Sequence, residues 1–486
     1  MTHFVPLRSF RLLGLAVIIC LSVLLPAWVA TLHADPVASA TAESTPTSKA
    51  TYDCQYLVEL KKAGDFLELL PQHPREVLRR LGKKLQPFLG QFTTPTLEFA
   101  GFTPGEKVTN TPLGDPARIS QWNDQQRELV SQLRTRTSAL LNDLEREVGV
   151  RPSGVSLRFA ADPKTWLGPL MKMMDNPEAT KNLRANQLFN LRTKLLPLLE
   201  TADLIIAAAT ISDTGLDFII RALGSREFTA SVSEAYTPDK TLSCARFLDE
   251  QHLCTFGQVH VLPSPQIILQ HLKTIPQLSI VENFLKNAGL DLEKDILPAQ
   301  AVDSLVSINL DPTGDGGLPD FRVIARFADP MKILAILPGL SKLCTDLGIY
   351  VASQTEMPVG VKLSYFLVPT FGLHLALTDG HVLLATSRAN LVNLHQHFQN
   401  VITGKKPAFT VPEGSHRYWR IRFKNLNEQI QRFLQSPLLA GKGIPPIPNL
   451  SMLEELGDFT MTTRMKPEYL EVRLTLPIVT QSDKAK

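Results

Sequence analysis

The chain has 486 residues, 44% of them hydrophobic and 20% charged, which places it with folded globular proteins of two to three domains or one large repeated one. Its formal net charge of +3 falls by two once Arg8 and Arg11 near the N-terminus are set aside. So weak a balance leaves no electrostatic footprint for nucleic acid.

Arg8 and Arg11 precede an uncharged run from Leu12 to Ala30. That is the order of an export signal, and Ala38-Ser39-Ala40 supplies a small-x-small cleavage site. The run is also near the length that spans a bilayer, so residues 1–34 are expected as a signal peptide or an N-terminal anchor. Residues 35–51 hold almost no large apolar side chain and read as a disordered linker. The rest divides into an N-terminal α+β half over 52–240 and a C-terminal α+β half over 241–486.

From Tyr56 to Leu70 a short strand runs into a helix. Arg75 to Phe88 follows as a helix with Val77, Leu78, Leu81, Leu85 and Phe88 on its apolar side. Its other side carries Arg75, Arg79, Arg80, Lys83 and Lys84. This is either a basic face for anionic membrane or partner, or the solvated side of an ordinary helix. Residues 91–120, with Pro95, Pro104, Pro112 and Pro116, read as loop. Gln121 to Val148 is the longest helix, its stripe carried by Leu129, Leu133, Leu140, Leu144 and Val148.

The clearest unit of the chain is Phe321-Arg322-Val323-Ile324-Ala325-Arg326-Phe327-Ala328-Asp329-Pro330 with Met331 to Leu337. Alternation over 321–327 predicts a strand. Asp329 fits an N-cap, because its carboxylate can accept from free amides of the first turn, and Pro330 fits the first helical position. Close variants recur. Val155 to Pro163 repeats strand and Asp-Pro corner, and Leu204 to Ile211 with Gly215 to Ala222 then form a hairpin. Val259 onward runs strand, helices and Ser304 to Leu310. From Phe321 the chain passes through helix to Val361–Leu367, Leu373–Leu377, His381–Ala385 and a helix from Arg388. Tyr418 to Phe423, a helix over Asn425 to Leu434, and a hairpin over Phe459–Met465 and Tyr469–Leu476 close the series. The expected fold is α+β: repeated β-α-β-β units forming extended, mostly antiparallel sheet with helices packed on one face.

Candidate chemistry is sparse. Asp311 to Gly317 with Asp320 invites calcium but lacks the ligand spacing of an EF-hand loop and reads as a Gly/Asp-rich hairpin loop. His374 and His381 flank the turn Thr378-Asp379-Gly380 and could face each other across it. His395 and His397 diverge on their helix. Arg158, Arg326, Arg420 and Arg422 could line one sheet face toward an anionic partner. No nucleophile, zinc, phosphate-loop or dinucleotide motif occurs, so no catalytic residue, metal or cofactor is assigned. Beyond Cys20 of the leader, four cysteines remain; Cys244 with Cys254 is the expected disulfide, leaving Cys54 with Cys344, and buried free thiols are the alternative.

Asn287 to Leu297, the Asp329-Pro330 helix and Leu375 to Asn390 carry a resemblance. Residues 281–398 resemble a passage of uncharacterised exported bacterial proteins grouped as a domain of unknown function (DUF3352-like). The resemblance implies an exported, repeated α+β structure and carries over no catalytic residue. The expectation is therefore a non-enzymatic envelope protein that binds or scaffolds an envelope protein or lipid, with membrane association through the N-terminus. The alternatives are a carrier enclosing an apolar ligand such as a lipid, and a hydrolase with an unrecognised site.

Overall fold

The computed structural model describes residues 52–62, 69–89, 96–104, 109–112, 124–149, 154–164, 200–224, 242–248, 256–261, 265–273, 278–309, 320–346, 350–354, 362–368, 371–424, 426–436, 451–466 and 468–479. The chain opens with β1 (Tyr52–Lys62), α1 (Glu76–Leu89), β2 (Thr96–Pro104), β3 (Thr109–Pro112), α2 (Asp124–Val148), β4 (Val155–Ala161), β5 (Ala202–Ser212) and β6 (Gly215–Gly224). It continues with β7 (Phe256–Val261), α3 (Pro265–Leu272), α4 (Leu278–Asn287), β8 (Ala301–Asn309), β9 (Asp320–Phe327), α5 (Pro330–Asp346) and β10 (Tyr350–Gln354). It ends with β11 (Lys362–Val368), β12 (Phe371–Thr378), β13 (His381–Ala385), α6 (Arg388–Ile402), β14 (Ser415–Ile421), α7 (Leu426–Leu434), β15 (Phe459–Lys466) and β16 (Tyr469–Pro477). The class is α+β with antiparallel sheet.

Two compact units result. The first takes residues 1–63, 91–150 and 155–208; the second takes 64–90, 151–154 and 209–486. The division falls inside β5, where the sequence reading set it at 240/241.

In the first unit the strand order is β4-β1-β2-β3. The longest helix, α2, lies along β1 and β4. Its buried stripe is Val130, Leu133, Thr137, Leu141, Leu144 and Val148, so Leu141 faces inward where Leu140 was expected. Thr137 sits inside the stripe because its hydroxyl donates to the Leu133 carbonyl one turn back, at 2.8 Å. Residues 96–104 and 109–112, read as loop, are strands. Both end on a proline, where a missing amide donor interrupts no further pairing.

In the second unit the order is β10-β11-β12-β13-β9-β8-β7-β14-β15-β16-β6. The segments β7-α3-α4-β8-β9 and β14-α7-β15-β16 keep the expected strand, helix, strand, strand order, with consecutive strands paired. In the first part of the chain, β1-α1-β2-β3 follows the same order. The stretch from Phe321 departs from it: α5 leads into four strands, and β9 pairs with β13 rather than β10. The helix expected after Pro163 falls beyond Lys164, outside the described residues.

The Asp-Pro corner behaves as read. The Met331 amide donates to Asp329 Oδ1 at 3.0 Å, and Pro330 opens α5. Ile333 and Leu337 of α5 pack on Val382, Phe327, Leu375 and Leu377. The next residue along β13, Leu383, points the other way and is covered by Leu391, Leu394 and Phe398 of α6. Helices therefore cover both faces of β9, β12 and β13, one face more than the sequence reading assigned. That is why the alternation in Phe321–Phe327 is blurred: Ile324 on one face and Phe327 on the other both pack in core.

Candidate functional site

On the face under α6 one row of residues runs across six strands. Tyr418 stands opposite Val259, Val259 opposite Leu305, Leu305 opposite Ile324, Ile324 opposite Leu383 and Leu383 opposite Ala376. All six are buried in one core with α6 and the 3-10 turn Ser243–Phe247. Phe398 of α6 stacks on Phe247 at 4.5 Å between ring centres. Because strand side chains alternate with period two, residues two or four places from this row lie on the same face. In one direction these are Asp303, Arg326 and His381. In the other they are Ser307, Arg322, Asn309 and Asp320.

The first polar end is centred on Asp303, whose side chain has no exposure. Arg326 Nε donates to its Oδ1 at 2.8 Å. The Cys244 amide donates to Oδ2 at 2.7 Å, and Ser243 Oγ lies 3.0 Å from both oxygens. The carboxylate thus supplies the acceptors for the head of the 3-10 turn and balances its charge with Arg326, as a buried acid requires. Cys244 is a buried free thiol whose sulfur donates to the Asp303 carbonyl, so the expected pairing of Cys244 with Cys254 is not formed. Burial, and then the neighbouring Asp303 charge, push this thiol far above its ordinary range. Cys254 lies outside the described residues, as do the side chains of Cys54 and Cys344.

His381 closes this end. Its Nδ1 donates to the Asp379 carbonyl at 2.7 Å, and its ring packs edge-on against Phe398 and Phe247. Burial lowers its pKa; the Asp379 carbonyl and the Asp303 charge partly oppose that. His374 stands opposite Ala385, and His381 opposite Thr378, so the two histidines that could have faced each other across the turn are out of register.

The second polar end is centred on Asp320. Arg322 Nε and Nη2 reach its Oδ2 at 2.6 and 2.5 Å. The side chain has no exposure, and among the described residues Oδ1 meets no hydrogen-bond donor. The residue is one of those around a cavity of about 30 Å³, with Ser307, Asn309, His397, Phe247, Leu305 and Leu394, but its side chain has no surface open to that cavity. His397 Nε2 donates to the Phe247 carbonyl at 2.9 Å, which joins α6 to the 3-10 turn and leaves Nδ1 as the acceptor nitrogen.

The other residues singled out in the sequence are spread over the fold. Arg75, just before α1, donates to the Asp213 carbonyl at 2.7 Å; on α1, Arg79 and Arg80 pair with Glu76, and Lys83 is exposed. The side chain of Lys84 lies outside the described residues. The head of α1 is capped by Glu455, which accepts from the Glu76 and Val77 amides at 3.2 and 3.1 Å. Three of the five basic residues are therefore paired, Arg75 with the turn after β5 and Arg79 and Arg80 within the helix itself.

The strand arginines are likewise paired: Arg158 with Glu59 and Glu145, Arg326 with Asp303, and Arg420 and Arg422 with Asp458. Arg158 and Glu59 border a cavity of about 220 Å³ with Arg134, Leu57 and Leu141, inside the first unit. The Gly/Asp loop at 311–317 lies outside the described residues. Among the described residues no three His, Cys, Asp or Glu side chains gather as metal ligands, and no helix is long and apolar enough to cross a membrane.

Sequence reasoning missed Asp303, Ser243, Asp320 and Arg322 as partners. The one signal was a charge placed in a strand otherwise rich in apolar residues, as in Ala301–Asn309. Its meaning depends on register, which the sequence does not display.

No family model matches this chain, and no curated protein matches it.

Proposed function

We propose that the chain is an exported protein of the cell envelope that acts by binding or scaffolding rather than by catalysis. Export is supported by Arg8, Arg11, the uncharged run from Leu12 to Ala30 and the Ala38-Ser39-Ala40 site. The resemblance of residues 281–398 to uncharacterised exported bacterial proteins points the same way. The observation that carries the binding reading is how buried charge is used in the second unit. Asp303, Asp458 and Glu455 each fasten one element to another, and Asp320 holds Arg322, so these acids serve the fold rather than a reaction. That is the layout of a rigid sheet, the kind of scaffold on which a binding surface is carried. The partner is an envelope protein or a lipid.

Cell fractionation with N-terminal sequencing tests the location. The expected result is an extracytoplasmic protein beginning after the small-x-small site, or a membrane-held one with its leader intact. A cytosolic protein with residues 1–34 intact would overturn the export reading.

A further inference from the structure

We propose that the surface bounded by the 3-10 turn Ser243–Phe247 and β14 receives an extended peptide segment of the form aromatic-x-aliphatic, and that the chain's own strap, residues 404–414, occupies it as a displaceable guard. This names a segment of an envelope protein as the partner for the binding reading above and rests on that reading.

The first reason is how the strap is seated. Between α6 and β14 the chain forms neither helix nor strand, and it lies mostly exposed. Phe409 and Val411 are half-buried against the core under α6, whereas Ala408, Thr410 and Pro412 are exposed. That alternation is how an extended segment presents every second side chain to one surface. The Phe409 ring lies 5.4 Å from that of Tyr418 between centres, and the Arg420 guanidinium stands 6.0 Å from the Phe409 ring centre. The Phe409 amide donates to the Arg246 carbonyl at 3.1 Å. A main-chain bond with alternate side chains inserted is the mode by which sheet proteins hold extended peptides.

The second reason is how lightly the strap is fastened. The Lys406 amide bonds the Asn400 carbonyl and the Ser415 amide the Pro412 carbonyl, so both end bonds are local. Among the described residues, no ion pair joins Lys405, Lys406 or Glu413 to another side chain. The hold on the turn and on β14 is therefore Phe409, Val411 and one amide. Segments with so few buried contacts open at the low end of local stability.

The third reason is the pair of hinges. Gly404 and Gly414 bracket the strap with positive φ angles of 73° and 75°. Glycine moves between left-handed and extended φ without steric cost, so both ends can swing. Pro407 and Pro412 fix their own φ and push Lys406 and Val411 toward extended backbone, which keeps the middle straight. A tethered guard competes at high local concentration, so a partner enters by displacing it.

The test uses the purified chain and, as probe, a fluorescein-labelled peptide with the sequence of residues 405–413, read by fluorescence polarisation. In the double variant Phe409→Ser, Val411→Ser the strap keeps its length and its glycines but loses its anchors. The expected result is saturable binding of the peptide to this variant, at least about tenfold tighter than to the parent, where the strap competes. A peptide carrying the same two substitutions should bind at least about tenfold more weakly. No saturable binding to the folded variant, equal binding of the two peptides, or equal affinity of parent and variant would each overturn the proposal. Should the double variant fail to fold, hydrogen exchange of the parent decides. The Phe409 amide should exchange at least about tenfold faster than the Tyr418 amide of β14, and equal rates would show that the strap does not open. Both assays need only purified protein, so their failure leaves the envelope location standing, and a cytosolic location leaves their result standing.

Discussion

Asp303 and Arg326 stand opposite each other on β8 and β9, and the guanidinium Nε reaches Asp303 Oδ1 at 2.8 Å. The same carboxylate holds Ser243 and the Cys244 amide, so one side chain ties the sheet to the turn that delivers Phe247 to the core. Asp303→Ala would leave a guanidinium and a buried amide without their acceptor. It is expected to lower stability by about 3 kcal/mol, within the range for removing one member of a buried charge pair. Asp303→Asn, which keeps an acceptor oxygen, should cost less. Urea unfolding measures both, and an Asp303→Ala midpoint equal to the parent's would dispose of this clamp.

Two glycines in helices separate backbone contact from side-chain contact. A Cβ on Gly82 of α1 would lie 2.5 Å from the backbone carbon of Leu70, which cannot move aside. Gly82→Ala is therefore expected to destabilise by about 2 kcal/mol, although alanine gains about 1 kcal/mol in helix propensity. At Gly339 of α5 the nearest atoms, at 2.6 Å, belong to the buried Leu290 side chain, which must repack but, unlike backbone, can shift. Gly339→Ala should stay within about 1 kcal/mol of the parent. Thermal unfolding of the two variants checks the order, and the reverse order would refute the account.

Local chemistry was legible wherever one residue's conformation decides it. Asp329 caps α5 and Pro330 starts it, as their side chains require. Asp379 and Gly380 take the positive φ angles, 45° and 75°, that a two-residue hairpin turn needs, and β12 and β13 pair across them. What stayed hidden depends on pieces distant in sequence. Asp303 acquires its role only when Ser243 arrives from sixty residues away. Arg158, Arg326 and Arg420 read as a charged face because a strand shows which residues alternate but not what lies across from them. The proline spacing of 91–120 reads as loop, yet Pro104 and Pro112 merely mark where β2 and β3 stop.

Burial lowers the pKa of His416, His381 and His73 from their ordinary value of 6.5. The folded chain then binds fewer protons at these sites than the unfolded chain as pH falls below 6.5. Stability rises with pH wherever the unfolded state binds more protons, so it should be full above this value and decline as pH drops through it. His416, 4% exposed beside the irregularity in β14, should contribute a distinct share. Urea midpoints taken on either side of pH 6.5 test this. In His416→Gln the decline should be shallower, and a slope identical to the parent's would show that this ring does not titrate on unfolding.

The Cys244 thiol is fully buried and held against Asp303, with its pKa pushed up by burial first and by that carboxylate second. Reaction with iodoacetamide needs the thiolate and access, and the folded chain offers neither. Native protein should therefore leave Cys244 unmodified under conditions that alkylate exposed thiols. After unfolding in urea it should alkylate without prior reduction, because it is a free thiol. Peptide mass spectrometry of the two samples reads both outcomes. A Cys244–Cys254 crosslink in the non-reduced digest, or alkylation of Cys244 in the native sample, would mean that the 3-10 turn does not pack on Asp303 as described. The same peptide map reads whether Cys54 and Cys344 are joined, and that result bears on the oxidising compartment an exported chain must cross.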